Sequence, residues 1–240
     1  MLRTRHVSMP IPPPEIIPIL ERTGFIHAAQ IRKFRVDGAL ISALVERWRP
    51  QTHTFHLPTG ECTVTLEDVA VQLGLPIEGE CIHRVGEFTV DEICLELLGR
   101  VPRLDLRERG KGKVVANTWL RTIYSAIPDD PTEIQLEQCA RAYILRLIGG
   151  LIFPDKSTSL THLMYLPLLR DLNTVLNYSW GSACLAYLYR SLCRATDSDT
   201  EELDGCLFLL QSWAWYRMPF LTPPGAVFQP FPLAARYDTI

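Results

Sequence analysis

Ala43-Leu-Val-Glu-Arg-Trp-Arg-Pro-Gln-Thr-His-Thr-Phe-His-Leu-Pro-Thr-Gly-Glu-Cys-Thr-Val-Thr-Leu-Glu-Asp-Val-Ala-Val-Gln-Leu-Gly74 parses almost residue by residue into a helix end, a β-hairpin and a capped helix. Pro50 stops the first helix, because proline lacks the amide hydrogen and clashes with the preceding turn. Alternation over 52–57 then places Phe55 and Leu57 on one strand face and Thr54 and His56 on the other, answered by a second strand over 61–65. A four-residue loop, 58–61, sets Leu57 opposite Cys62 and Phe55 opposite Val64, apolar against apolar. A three-residue loop would set Phe55 against Thr63, so the longer connection is expected. Thr65-Leu-Glu-Asp68 has capping-box spacing, with the acid at the third helical position. Val69, Leu73 and Leu75 are expected to face inward, and Gly74 with Pro76 ends the helix.

Upstream, Asp37 is a good N-cap for a helix whose buried stripe reads Leu40, Ile41, Leu44, Val45 and Trp48. Glu15 to Arg22 reads as a short helix stopped at Gly24. The first fourteen residues, ending Pro10-Ile-Pro-Pro-Pro14, favour an extended polyproline arm, either a lead-in strap or a ligand for a proline-recognising domain. Downstream, Thr89-Val-Asp-Glu92 repeats the capping pattern for a helix stopping at Gly99. Further helices are expected over 119–126, from Thr132 to Gly149-Gly150, over 165–173, from Ser179, and along Leu203, Cys206, Leu207, Leu210, Trp213 and Ala214. Trp213 and Trp215 are two apart, so one is expected in the core and the other under the chain's end or at a partner site. Pro223-Pro224-Gly225 is expected to close the compact part. The expected fold is mainly α: a single multi-helix domain over 15–224 with one small hairpin near 52–65, an arm over 1–14 and a tail over 225–240.

Composition narrows the class. A chain of 240 residues, 47% hydrophobic and 21% charged, can bury a full core and is not disordered material. A net charge of −3 gives no bulk attraction to nucleic acid or anionic lipid. Lysine occurs at Lys33, Lys111, Lys113 and Lys156 alone, so 20 of the 24 basic residues are arginine (24 − 4), suited to carboxylate and phosphate pairing or to internal ion pairs. Seven cysteines at unpaired spacings, with no apolar leader after Met1, fit a reducing compartment and a protein that is not secreted. The longest apolar run, Leu147 to Phe153, is too short to span a bilayer, which needs about 20 residues.

Catalytic chemistry is hard to assemble from these residues. His53 and His56 would point to opposite strand faces and cannot share one ion, and Cys81-Ile-His83 has no partner pair to complete a tetrahedron. No GxSxG elbow is present, and His162 is the one histidine after His83. Asp129-Asp130 precedes Pro131 as a solvated turn. A pyridoxal enzyme would need one of the four lysines, with Lys156 and Lys33 the first to test. No cofactor or metal is expected. The strongest polyanion candidate is the segment Arg103-Leu-Asp-Leu-Arg-Glu-Arg-Gly-Lys-Gly-Lys113, where Arg103, Arg107, Arg109, Lys111 and Lys113 face two acids, Asp105 and Glu108. It lacks Walker spacing, and it reads as a charged loop or as a nucleic-acid contact, to which Arg47 and Arg49 could add.

The block from Leu40 to Gly79 resembles the signature of the plant mobile domain, also called aminotransferase-like. The resemblance continues at Ala140-Arg-Ala-Tyr-Ile-Leu-Arg-Leu-Ile-Gly149, Leu151-Ile-Phe-Pro-Asp-Lys-Ser157, Tyr178-Ser-Trp-Gly-Ser-Ala183, Leu185-Ala-Tyr-Leu-Tyr-Arg190 and Leu209-Leu-Gln-Ser-Trp-Ala-Trp215, from about Ile16 to Pro224 in all. The resemblance implies a plant protein linked to transposable elements. Relatives of the maintenance-of-meristems type imply a nuclear location and roles in meristem development, genome stability and transposon silencing. It also implies nuclear protein partners, a phosphatase-type partner among them, since some relatives carry a fused serine/threonine phosphatase. It supplies no catalytic residues, so a non-enzyme is expected. The phosphatase metal motifs GDxHG, GDxxDRG and GNHE are absent here. The family domain usually runs well past the Trp215 region, so a shortened copy is expected.

Overall fold

The structure is a computed structural model that describes residues 6–83, 86–102, 113–154, 159–197, 203–223 and 231–237. The fold is mainly α, as the apolar periodicity predicts. Helix α1 spans Ile17–Arg22 after a 3₁₀ turn at Pro14–Ile16, and α2 spans Gly38–Arg47. Asp37 caps α2: its Oδ1 accepts from the Ala39 and Leu40 amides at 2.9 and 3.1 Å. Ile41 and Leu44 are buried, while Leu40 and Val45 are only half-buried.

Trp48 does not extend the helical stripe. The chain turns extended there, and Trp48–Arg49 forms β3 of a three-stranded sheet, following β1 (His6–Ser8) and β2 (Lys33–Arg35) in chain order. Strand β4 (Thr54–Leu57) pairs with β3 on one side and with β5 (Gly60–Cys62) on the other.

The hairpin register differs from the expected one. Phe55 faces Cys62, His56 faces Glu61 and Leu57 faces Gly60, which leaves a two-residue turn at Pro58-Thr59 in place of the four-residue loop. Two things favour it. On the outer face, Thr54 donates to Glu61 at 2.8 Å and His56 lies 3.7 Å from the same carboxylate, a polar cross-strand match. On the inner face β3 sets Trp48 across from Phe55, so the apolar partner of Phe55 comes from the third strand.

The capping boxes hold. Thr65 and Asp68 exchange both bonds at the start of α3 (Leu66–Leu73), and Val69, Leu73 and Leu75 are buried. Thr89 accepts from the Glu92 amide to begin α4 (Val90–Leu98), which ends at Gly99. Helix α5 (Asn117–Tyr124) follows strand β6 (Val114–Ala116). Thr132 and Gln135 form a second full capping box at the start of α6 (Glu133–Leu147).

Helix α6 is the centre of the core. From Cys139 to Leu145 every side chain is buried, including Arg141, and α1, α4 and α5 pack around it. Arg141 is tolerable there because its guanidinium is paired: Nε donates to the Leu169 carbonyl at 2.9 Å, and Nη2 to Glu137 and the Arg170 carbonyl at 3.0 Å each. The helix does not stop at Gly149-Gly150 but widens into a π turn over Ile148–Ile152.

Other differences are local. The helix expected over 165–173 is a 3₁₀ helix at Leu163–Leu169 with Pro167 inside it, following β7 (Leu160–His162), which pairs antiparallel with β6. Strands β1 and β2 also pair antiparallel, so the arm contributes a ladder that the sequence reading did not anticipate. Ser179 stands at the N-cap position of α7 (Trp180–Ala195) without capping it; its hydroxyl donates to the Ile77 carbonyl at 2.6 Å instead. Helix α8 (Leu207–Arg217) buries both Trp213 and Trp215. The chain does not leave the core at Pro223: Leu233–Tyr237 packs on α3 and α8, with Ala234 and Ala235 buried.

Candidate functional site

Helix α2 meets the core through Ile41 and Leu44, and the adjacent face, one-quarter turn round, carries Leu40, Ala43 and Arg47. Opposite this face α8 ends at Met218, and Pro219–Leu221 forms a 3₁₀ turn. That turn is well fixed: Thr222 donates through its amide to Pro219 at 3.1 Å and through its hydroxyl to the Trp215 carbonyl at 3.1 Å. It holds Phe220 outward, 83% exposed, with Leu221 beside it.

Between the two walls lies an open cleft of about 480 Å³. Its floor and sides are apolar, from Leu40, Ala43, Leu44 and Leu57 on one side and Met218, Phe220 and Leu221 on the other. Asp37 and Arg47 stand at the two ends of α2, so the cleft is apolar along its length with opposite charges at its ends. An exposed phenylalanine on a rigid turn beside an apolar cleft is the arrangement of an anchor for another molecule.

Among the described residues, several thiols and phenols are held in their neutral forms by burial. Burial pushes the Cys94 thiol up to about 12 and also raises Cys62 and Cys139. The Cys184 thiol is raised first by its hydrogen bond with Cys206 and then by burial. Such thiols stay protonated at neutral pH and are poor nucleophiles. Burial likewise moves the Tyr165 hydroxyl to about 12. Among the described residues, no three His, Cys, Asp or Glu side chains gather where a metal could be held.

Of the five basic candidates, Arg103, Arg107, Arg109 and Lys111 lie outside the described residues. Lys113 is described, and it faces inward: its ammonium donates to the Phe88 carbonyl and sits 3.8 Å from the centre of the Phe88 ring. Arg47 lies at the cleft, whereas Arg49 is on β3 with its guanidinium 3.4 Å from the Trp48 carbonyl. His53 stacks on Trp48 at 6.1 Å and His56 faces Glu61, so the two imidazoles are used separately. His83 Nδ1 lies 3.1 Å from the Cys81 carbonyl, not its thiol. Lys156 lies outside the described residues. The sequence reading missed the cleft. The signal was there in Met218-Pro-Phe-Leu221, where three apolar side chains follow a helix end with proline among them.

The profile of the plant mobile domain matches residues 24–240. The chain belongs to the plant mobile domain family. This plant mobile domain is 45% identical over 196 residues to the "Serine/threonine-protein phosphatase 7 long form homolog" of Arabidopsis thaliana, covering 81% of this chain and 14% of that protein. It is 40% identical over 205 residues to "Protein MAIN-LIKE 2" of the same plant, covering 85% and 30%. It is 36% identical over 222 residues to Arabidopsis "Protein MAINTENANCE OF MERISTEMS", covering 92% and 45%. The chain therefore spans less than half the length of each of these relatives. No solved structure matches it.

Proposed function

We propose that this plant mobile domain is a non-catalytic protein-interaction scaffold of the nucleus, acting in meristem development, genome stability or transposon silencing. The observation that carries the interaction reading is the apolar cleft between α2 and Pro219–Leu221, with Phe220 projecting from a fixed turn. A catalytic reading has less to stand on, because the buried thiols and phenols are driven away from neutral pKa values. The meristem role rests on likeness to the protein named for maintenance of meristems, and a phosphatase-type partner is suggested by the relative named as a phosphatase. The test is affinity capture from plant nuclei with the wild-type chain and with Phe220→Ser. Partners recovered by the first and lost by the second support the reading. Equal recovery by both, or none above background from either, sinks it.

A further inference from the structure

Resting on the docking reading of the cleft, we infer that its occupant is a second copy of this chain, with the two α2 helices packed antiparallel about a two-fold axis. The cleft is self-complementary in charge. Asp37 and Arg47 are ten residues apart on one helix, about 15 Å along its axis, at its start and its end. Reversing the direction of a second α2 brings the partner's Arg47 to Asp37 and the partner's Asp37 to Arg47, which is the isologous pairing that a two-fold axis requires.

Both charges have capacity left for such a pair. Asp37 uses Oδ1 to cap α2, and its Oδ2 has no partner among the described residues. Arg47 turns Nη1 back to the Ala43 carbonyl at 2.9 Å and lies 4.0 Å from Glu46, while its Nε and Nη2 have no partner among the described residues. The position of Asp37 is fixed from behind, since its amide donates to Gln211 on α8 at 2.6 Å. Antiparallel macrodipoles attract, and each pair places an acid at a positive helix end and a base at a negative one. Ala39 and Ala43 leave room for close approach of the helix axes, and half-buried Leu40 lies on the face that meets the partner. Phe220 supplies apolar surface alongside the partner's helix.

Sedimentation equilibrium on the full chain tests this. The wild type should dimerise, and Asp37→Lys or Arg47→Glu alone should weaken self-association by about tenfold, as expected for two exposed pairs turned repulsive. An equimolar mixture of the two variants should recover it, because lysine at 37 then meets glutamate at 47 and the native pair survives at the other contact. Asp37→Asn, which keeps the cap, should weaken the dimer less than either reversal and covers the case in which the lysine variant does not fold. A wild type that stays monomeric, a dimer indifferent to the reversals, or a mixture no tighter than its components overturns the inference. A monomer that still captures a different protein through Phe220 also overturns it, while leaving the docking reading standing.

Discussion

Arg217, at the end of α8, donates to Oδ1 of Asp68 at 2.9 Å while Oδ2 of the same carboxylate accepts from the Thr65 amide at 2.8 Å and closes the α3 capping box. One buried acid thus caps a helix and ties it to another that is 149 residues away. The two functions differ in worth. Arg217 is half exposed, so its side of the bond is worth under about 1 kcal/mol. Losing Asp68 removes the reciprocal cap as well, for a total of about 2 kcal/mol. Urea unfolding should therefore show Asp68→Ala costing clearly more than Arg217→Ala. Equal costs would mean that the capping box contributes nothing.

Acid should weaken the fold through Asp204. Burial raises its pKa, but the Ser191 hydroxyl, the Arg194 guanidinium and the Tyr187 hydroxyl together outweigh burial and hold it below the ordinary 3.8. Arg194 reaches both carboxylate oxygens at 2.7 Å, joining the turn before α8 to α7. A depressed folded-state pKa stabilises at pH values above the unfolded one, and that stability drains away as the pH falls through the folded pKa. Melting curves between about pH 5 and pH 3 should accordingly fall more steeply for the wild type than for Asp204→Asn. Parallel curves would remove Asp204 from the acid limb.

The legible parts of this fold were those fixed by neighbours in sequence. Thr65 with Asp68, Thr132 with Gln135 and Asp37 with the following amides are contacts within four residues, and each is found where its spacing puts it. The hairpin register was misread because its deciding contact is not local to the hairpin. Trp48 crosses from α2 to become the third strand, and its ring lies 4.8 Å from Phe55, whose other face meets Trp213 at 5.2 Å. Likewise the burial of both Trp213 and Trp215 depends on segments far along the chain closing over α8, which no helical period can announce. The cleft was hidden for the same reason: Leu40 and Phe220 come from opposite ends of the sequence.

That aromatic junction should be costly to empty. Phe55 is wholly buried between Trp48 and Trp213, so Phe55→Ala leaves a cavity flanked by two rigid rings that cannot collapse into it. A loss of about 3–5 kcal/mol is expected from chemical denaturation. A loss below about 1 kcal/mol would show that the sheet does not cement α2 to α8.

Phe220→Ser should do the opposite. With the ring 83% exposed and its turn held by Thr222, the change is expected to stay within about 0.5 kcal/mol of wild type in the same assay. Its effect should appear instead in binding of a hydrophobic dye, which should fall. A large destabilisation would mean that Phe220 is part of the fold and not of a docking surface.

Gly79 and Gly60 form a matched pair that separates strain from crowding. Both have positive backbone φ, +111° at Gly79 and +132° at Gly60, a conformation that side-chain-bearing residues rarely adopt. A Cβ at Gly60 would meet nothing within 4 Å, whereas one at Gly79 would fall 2.1 Å from the Asn177 carbonyl oxygen. That closeness comes from the seam that joins the chain after α3 to the start of α7: the Glu80 amide donates to Asn177 at 2.7 Å, Ser179 to Glu80 at 2.9 Å and Gly181 to Pro76 at 2.7 Å. Alanine at 60 should cost the backbone strain alone, about 1 kcal/mol. Alanine at 79 adds a clash with backbone that cannot rotate away, for a total of about 3 kcal/mol or more. Denaturation midpoints of the two variants measured side by side decide the matter, and equal shifts would show that the seam is looser than these distances require.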